Sequence, residues 1–108
     1  MTAMVAEPLK DRANQVAEIL QTLANGKRLF VLCKLQELGE ANVTMLATEA
    51  QLSQSALSQH LAKLRAEGLV DFRRESQTLW YRIADPRIAD LLDTLHRLFC
   101  AAPAAEQD

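Results

Sequence analysis

The chain has 108 residues, 49% apolar and 24% charged, with a formal net charge of −2, which is room for one domain around one core. The opening Met1-Thr2-Ala3-Met4-Val5-Ala6-Glu7-Pro8 has no basic segment followed by an apolar one, and nowhere do eighteen apolar residues run together. Secretion and membrane spanning are therefore not supported, and a cytoplasmic protein is expected.

Charge is unevenly distributed along the chain. Between residues 53 and 82, Lys63, Arg65, Arg73, Arg74 and Arg82 outnumber Glu67, Asp71 and Glu75, whereas the remainder is acidic. A polyanion would meet that local sign rather than the total. Cys33 and Cys100 form no C-x-x-C and have no second pair beside them, which excludes a zinc ribbon and a disulfide-dense scaffold. They are expected as thiols in a reducing compartment.

From Asp11 to Leu23, Ala13, Val16, Ala17, Ile19, Leu20 and Leu23 recur at spacings of three and four, one stripe down a first helix. Asn25 caps a second helix that carries Cys33, runs to about Leu38 and ends at Gly39. Thr44 is the expected cap of a short third helix ending near Ala50. Gln51-Leu52-Ser53 makes a tight turn, with Ser53 capping a fourth helix that Gly68 closes. Leu57, Leu61, Leu64 and Leu69 give that helix its buried stripe.

Val70 and Phe72 alternate with Asp71 and Arg73, and Leu79, Tyr81 and Ile83 alternate with Trp80 and Arg82. These are two strands at period two, joined through Arg74-Glu75-Ser76-Gln77 as a hairpin. After Asp85-Pro86, a last helix carries Ile88, Leu91, Leu92, Leu95, Leu98 and Phe99 on one stripe and Cys100 at its end. The tail from about 101 to 108 has no pattern and is expected to fray. The expected fold is mainly α with a β-hairpin wing, a winged helix-turn-helix in one domain spanning 1–108.

Two helices joined by a three-residue turn, the second with small polar residues outside, suit the major groove of double-stranded DNA. Ser55, Ser58 and Gln59 are placed to meet base edges, with Lys63, Arg65, Arg73 and Arg74 placed to meet phosphates. No enzyme is expected. Ser58 and His60 stand two apart on a helix and point in different directions, with no carboxylate to orient the histidine.

The segments Leu52-Ser53-Gln54-Ser55-Ala56-Leu57-Ser58-Gln59-His60-Leu61, Leu23-Ala24-Asn25-Gly26-Lys27-Arg28-Leu29 and Leu79-Trp80-Tyr81-Arg82-Ile83 together resemble the ArsR/SmtB family of winged-helix repressors. The resemblance implies four helices, two strands and a fifth helix, and a homodimer formed by the first and last helices. It also implies repression relieved by an inducer, with Gln54, Ser55, Ser58 and Gln59 as base readers. Two departures stand out: Ser76 and Gln77 replace a glycine and a basic residue in the wing turn, and Gly26 replaces a frequent proline. A dimer is expected on physical grounds too, because two long apolar stripes exceed what one small core can cover. Its twofold symmetry predicts an operator that is an imperfect palindrome.

The family's metal ligands are not matched. The third helix has no cysteine, and the last offers Asp85-x-Arg87 and one histidine, His96, with Asp93 near it; an arginine does not ligate zinc. His96 is expected to be structural or solvated, and no metal or cofactor is expected. Cys33 and Cys100 resemble the dithiol of the sulfide-responsive, biofilm-growth-associated branch. That resemblance implies an inducer among reactive sulfur species, persulfide or polysulfide, closing a di- or polysulfide bridge. The residues alone leave two alternatives open: thiolates holding a soft ion such as mercury, cadmium or arsenite, and inert buried thiols.

Overall fold

The computed structural model of the protein describes residues 2–100; the tail expected to fray, 101–108, lies outside the described residues. Helix α1 spans Thr2–Leu23, longer than expected, because it runs through Pro8 instead of beginning beyond it. Helix α2, Gly26–Leu38, starts where Asn25 Oδ1 accepts the Arg28 amide at 3.0 Å. It stops at Gly39, whose φ of 85° is costly for a side chain and whose N–H donates to the Leu35 carbonyl.

Strand β1, Ala41–Asn42, was not foreseen: two residues are too few for a period to register. Asn42 also corrects the expected cap of the third helix. Its Oδ1, not Thr44, accepts the Met45 amide at 2.8 Å, so α3 covers Val43–Ala50. Helix α4, Gln54–Ala66, begins as expected with Ser53 Oγ accepting from the Ala56 amide at 3.0 Å.

Strands β2, Val70–Glu75, and β3, Thr78–Ile83, pair antiparallel from Val70↔Ile83 to Glu75↔Thr78, leaving Ser76-Gln77 as a two-residue turn. Ser76 takes a φ of 58°, the left-handed geometry such hairpins need and glycine gives more cheaply. β1 joins the far edge of β3 through Ala41↔Tyr81 and Asn42↔Trp80, so the sheet order is β1-β3-β2. Helix α5, Pro86–Leu95, is capped by Asp85 and continues into a π-helical turn, His96–Cys100.

One core joins these elements. Leu32 and Leu35 of α2, Leu46 of α3, Leu57, Leu61 and Leu64 of α4, Leu69, Val70 and Leu92 of α5 are all essentially sealed from solvent. Large apolar side chains remain uncovered on the outermost helices: Leu9, Val16 and Leu20 on α1, Leu98 and Phe99 at the end of α5, the last two 62% and 79% exposed. The Cα radius of gyration, 16.3 Å, exceeds the roughly 13 Å of a close-packed chain of this size. Among the described residues, no helix is long and apolar enough to cross a membrane.

Candidate nucleic-acid interface and thiol site

The turn between α3 and α4 is fixed by backbone geometry. Gln51 adopts a left-handed conformation (φ 56°, ψ 47°), and the Leu52 amide folds back to the Ala47 carbonyl at 3.0 Å. With Leu57, Leu61 and Leu64 inward, helical period turns Gln54, Ser55, Ser58, Gln59 and Lys63 outward, and all five are exposed. Gln54 Nε2 donates to Thr44 Oγ1 at 3.3 Å, a side-chain link between the two helices. The result is an exposed polar rod whose rim carries the basic residues.

Those basic residues differ in availability. Lys63 Nζ lies 3.0 Å from Glu67 Oε2, an i,i+4 pair along the helix. The Arg65 guanidinium stacks over the Phe72 ring at 4.2 Å, with Asp71 4.0 Å away. Arg73, expected among the phosphate contacts, is engaged within the protein: its guanidinium grips both Glu40 oxygens at 2.8 and 3.0 Å and reaches Glu75 at 3.0 Å. These bonds, Glu40 first, hold its pKa above the ordinary arginine range. Glu40 is 33 residues earlier in the chain, and only the pairing of β1 with β3 and β3 with β2 brings it near Arg73. Among the described residues Arg74, near the hairpin tip, has no carboxylate partner.

A further bond that sequence spacing gave no sign of ties α1 to the end of α4. Thr22, 3% exposed, donates its hydroxyl to Glu67 Oε1 at 2.6 Å. That bond, and then the Lys63 ammonium, holds the Glu67 carboxyl below the usual carboxylate range despite partial burial.

Helix α2, which carries Cys33, packs against α5, whose π-helical continuation ends at Cys100. Cys33 is half-buried and Cys100 exposed. Burial pushes the Cys33 thiol up, and the neighbouring Cys100 pushes it further in the same direction, so each thiol lies within electrostatic reach of the other. Beside Cys33 opens a cleft of about 260 Å³ with Phe30 and Leu92 on its walls and Glu37, Asp93 and His96 at its rim. Gln36 Nε2 donates to Asp93 Oδ1 at 3.1 Å across the helix pair. His96, assigned to solvent or structure by its spacing, is exposed and also lines this cleft. Asp85 and Arg87 pair with one another at 2.8 Å, and Asp85 caps α5. Among the described residues, no group of three or more His, Cys, Asp or Glu is arranged to hold a metal ion.

Comparison with known proteins gives this geometry a context. Residues 25–71 match the sequence pattern described as bacterial regulatory protein, arsR family. The transcriptional activator HlyU of Vibrio cholerae is 39% identical over 99 residues, covering 92% of this chain and 91% of its own. Its reduced form superposes with a TM-score of 0.83 over 88% of this chain and 99% of the other. The biofilm growth-associated repressor of Xylella fastidiosa is 39% identical over 98 residues, 91% of this chain and 85% of that protein. A homodimeric winged helix-turn-helix DNA-binding domain from Mycobacterium bovis is 35% identical, with a TM-score of 0.73 over 82% of each chain.

Proposed function

Because the chain belongs to the arsR family of bacterial regulatory proteins and is a DNA-binding transcriptional regulator, we propose that it is a homodimeric repressor whose Cys33–Cys100 dithiol senses reactive sulfur. The reduced dimer holds an imperfectly palindromic operator through two copies of α4. Gln54, Ser55, Ser58 and Gln59 read base edges, Lys63, Arg65 and above all Arg74 meet phosphates, and Arg73 serves the wing's own structure. The homodimer of the Mycobacterium bovis relative and the uncovered apolar faces of α1 and α5 support the twofold arrangement.

The observation that carries the sensing reading is the packing of α2 against α5, which leaves Cys33 within electrostatic reach of Cys100, 67 positions later in sequence. Successive sulfane sulfurs taken up by one thiolate, each with departure of the donor's own thiolate, leave a hydropolysulfide whose inner sulfur the other thiolate attacks; hydrosulfide leaves, and a bridge carrying added sulfur closes between α2 and α5. Extra sulfur atoms let the bridge span more than the roughly 7 Å that limits a plain disulfide between Cα atoms. Tying α2 to α5 shifts the angle between the two readers, and ~3 kcal/mol of bias between dimer states changes operator affinity about a hundredfold.

The test is operator binding by the reduced, polysulfide-treated and cadmium-treated protein, with mass spectrometry of the same samples. A Cys33–Cys100 bridge carrying added sulfur, appearing together with weaker binding, is the expected result. Release by cadmium alone, or release that persists in Cys33→Ser treated with polysulfide, removes the sulfur reading.

A further inference from the structure

Cys33 is reached through the cleft between α2 and α5, and the charges around that cleft are one-sided. Lys34 is its only ammonium among the lining residues, and it is already bound to Glu37 at 2.9 Å and to Glu49 at 3.3 Å. Asp93 adds a carboxylate whose one hydrogen-bond partner among the described residues is the uncharged Gln36 amide. One ammonium therefore faces two carboxylates, Glu37 and Asp93, in the lining around a half-buried thiol, while Glu49 draws on the same ammonium from outside the cleft; His96 is the other titratable group on the rim. Cys100, by contrast, sits exposed in the π-helical turn.

We propose that the acidic rim of this cleft, Glu37 and Asp93 above all, is an electrostatic filter that admits neutral and cationic electrophiles to Cys33 and turns anionic ones toward Cys100. Low-dielectric apolar walls such as Phe30 and Leu92 strengthen the field of the rim charges at the thiol. This rests on the sensing role proposed above and gives the two thiols an order of reaction. The Cys100 thiolate attacks the sulfane sulfur of an anionic thiol persulfide, R–S⁻ departs with its electron pair, and Cys100 carries the persulfide. That persulfide attacks a second donor in the same way, again expelling R–S⁻, and grows by one sulfur; the Cys33 thiolate then attacks its middle sulfur and hydrosulfide leaves, so a trisulfide closes in which one sulfane sulfur is retained, while the two thiolates are oxidised by two electrons and the other sulfane sulfur is reduced by two. Cys33 is in this order the resolving thiol, and the donor never has to enter its cleft.

The filter can be read without any sulfur donor or DNA. Full-length Cys100→Ser and Cys33→Ser proteins, each with one thiol, are labelled with two methanethiosulfonates that differ in charge, trimethylammonioethyl and sulfonatoethyl. Rates are divided by those of 2-mercaptoethanol. At low salt Cys33 should prefer the cation on the order of tenfold, a ratio that shrinks towards unity in 1 M salt, where the Debye length is about 3 Å, while Cys100 shows little preference. Glu37→Gln and Asp93→Asn should each reduce the Cys33 ratio, and the salt series on the unaltered cleft decides the matter if either variant folds poorly. A Cys33 ratio no larger than that of Cys100, or one indifferent to salt, overturns the filter. Treatment of the same two proteins with glutathione persulfide should add sulfur to Cys100 faster than to Cys33; the opposite order overturns the assigned sequence of attack. Because the labelling rates involve neither operator nor bridge, loss of the filter leaves the sensing role standing, and a polysulfide-inert protein leaves the filter standing.

Discussion

Arg73 and Arg74 are neighbours in the chain and unequal in what they can offer a phosphate. Alternation along β2 puts Arg73 on the same face as Glu75 and Trp80, where Glu40 meets it with a bidentate grip, and leaves Arg74 on the other face beyond the body of the sheet. A guanidinium whose donors are already directed at carboxylates releases few counterions from DNA, because it would have to give up those bonds first. Each phosphate neutralised contributes close to 0.9 to the slope of log affinity against log salt. Arg74→Ala should therefore flatten the slope for a dimer by about two and weaken binding evenly across sequences, while Arg73→Ala leaves the slope nearly unchanged. Glu40→Gln should steepen it by freeing Arg73. Equal slopes for the two arginine variants, measured by fluorescence anisotropy across a salt series, would return Arg73 to the phosphate contacts.

At the scale of elements, the join between α1 and α4 fixes how α4, the proposed reading helix, is carried. Among the described residues Thr22 is the one buried polar side chain, and the carboxylate that takes its hydroxyl belongs to Glu67, the C-cap of α4. Thr22→Val keeps the shape and removes the bond, which should cost about 1 kcal/mol at neutral pH. Since the folded-state pKa of Glu67 is lowered, the contribution is complete above its unfolded value and is lost as pH falls through the folded one. Urea unfolding of the two proteins should therefore differ at pH 7 and converge as pH falls below the ordinary glutamate range. Thr22→Ser should restore both stability and operator affinity; if it restores neither, the bond has no part in orienting α4. This tie also marks the limit of what local pattern conveys. The helices, the hairpin and the α3–α4 turn were legible because period, caps and turn residues are written within a few positions of one another, as with Ser53 before α4 or Gly39 after α2. Strand β1, the Glu40–Arg73 grip and the Thr22–Glu67 bond join residues tens of positions apart, and nothing at either end announces the other. Cys33 and Cys100 were paired through a family likeness rather than through any local signal, and His96 was set aside for want of a second ligand although it borders the same cleft.

For the whole molecule, the decisive quantity is the apolar surface left over once the core is filled. Leu98 and Phe99 project from the π-helical turn that continues α5, and Leu9, Val16 and Leu20 line α1, so the first and last helical segments carry the largest uncovered side chains among the described residues. Burying one such side chain is worth about 1.5–3 kcal/mol, and twofold symmetry counts each residue twice. Phe99→Asp should therefore remove about 3–6 kcal/mol from the dimer and raise its dissociation constant by two to four orders of magnitude. The core is complete without Phe99, so the helical circular dichroism of the variant should be retained while sedimentation reports a monomer at micromolar concentration. A single α4 then meets a single half-site, and affinity for a full palindrome should fall to that for half of one. A variant that stays dimeric, or a monomer that still holds the full operator as tightly, would place the interface elsewhere or detach reading from symmetry. Because the sulfur bridge is proposed to act by turning one reader against the other, the same monomer should also lose its response to polysulfide even though Cys33 and Cys100 still close.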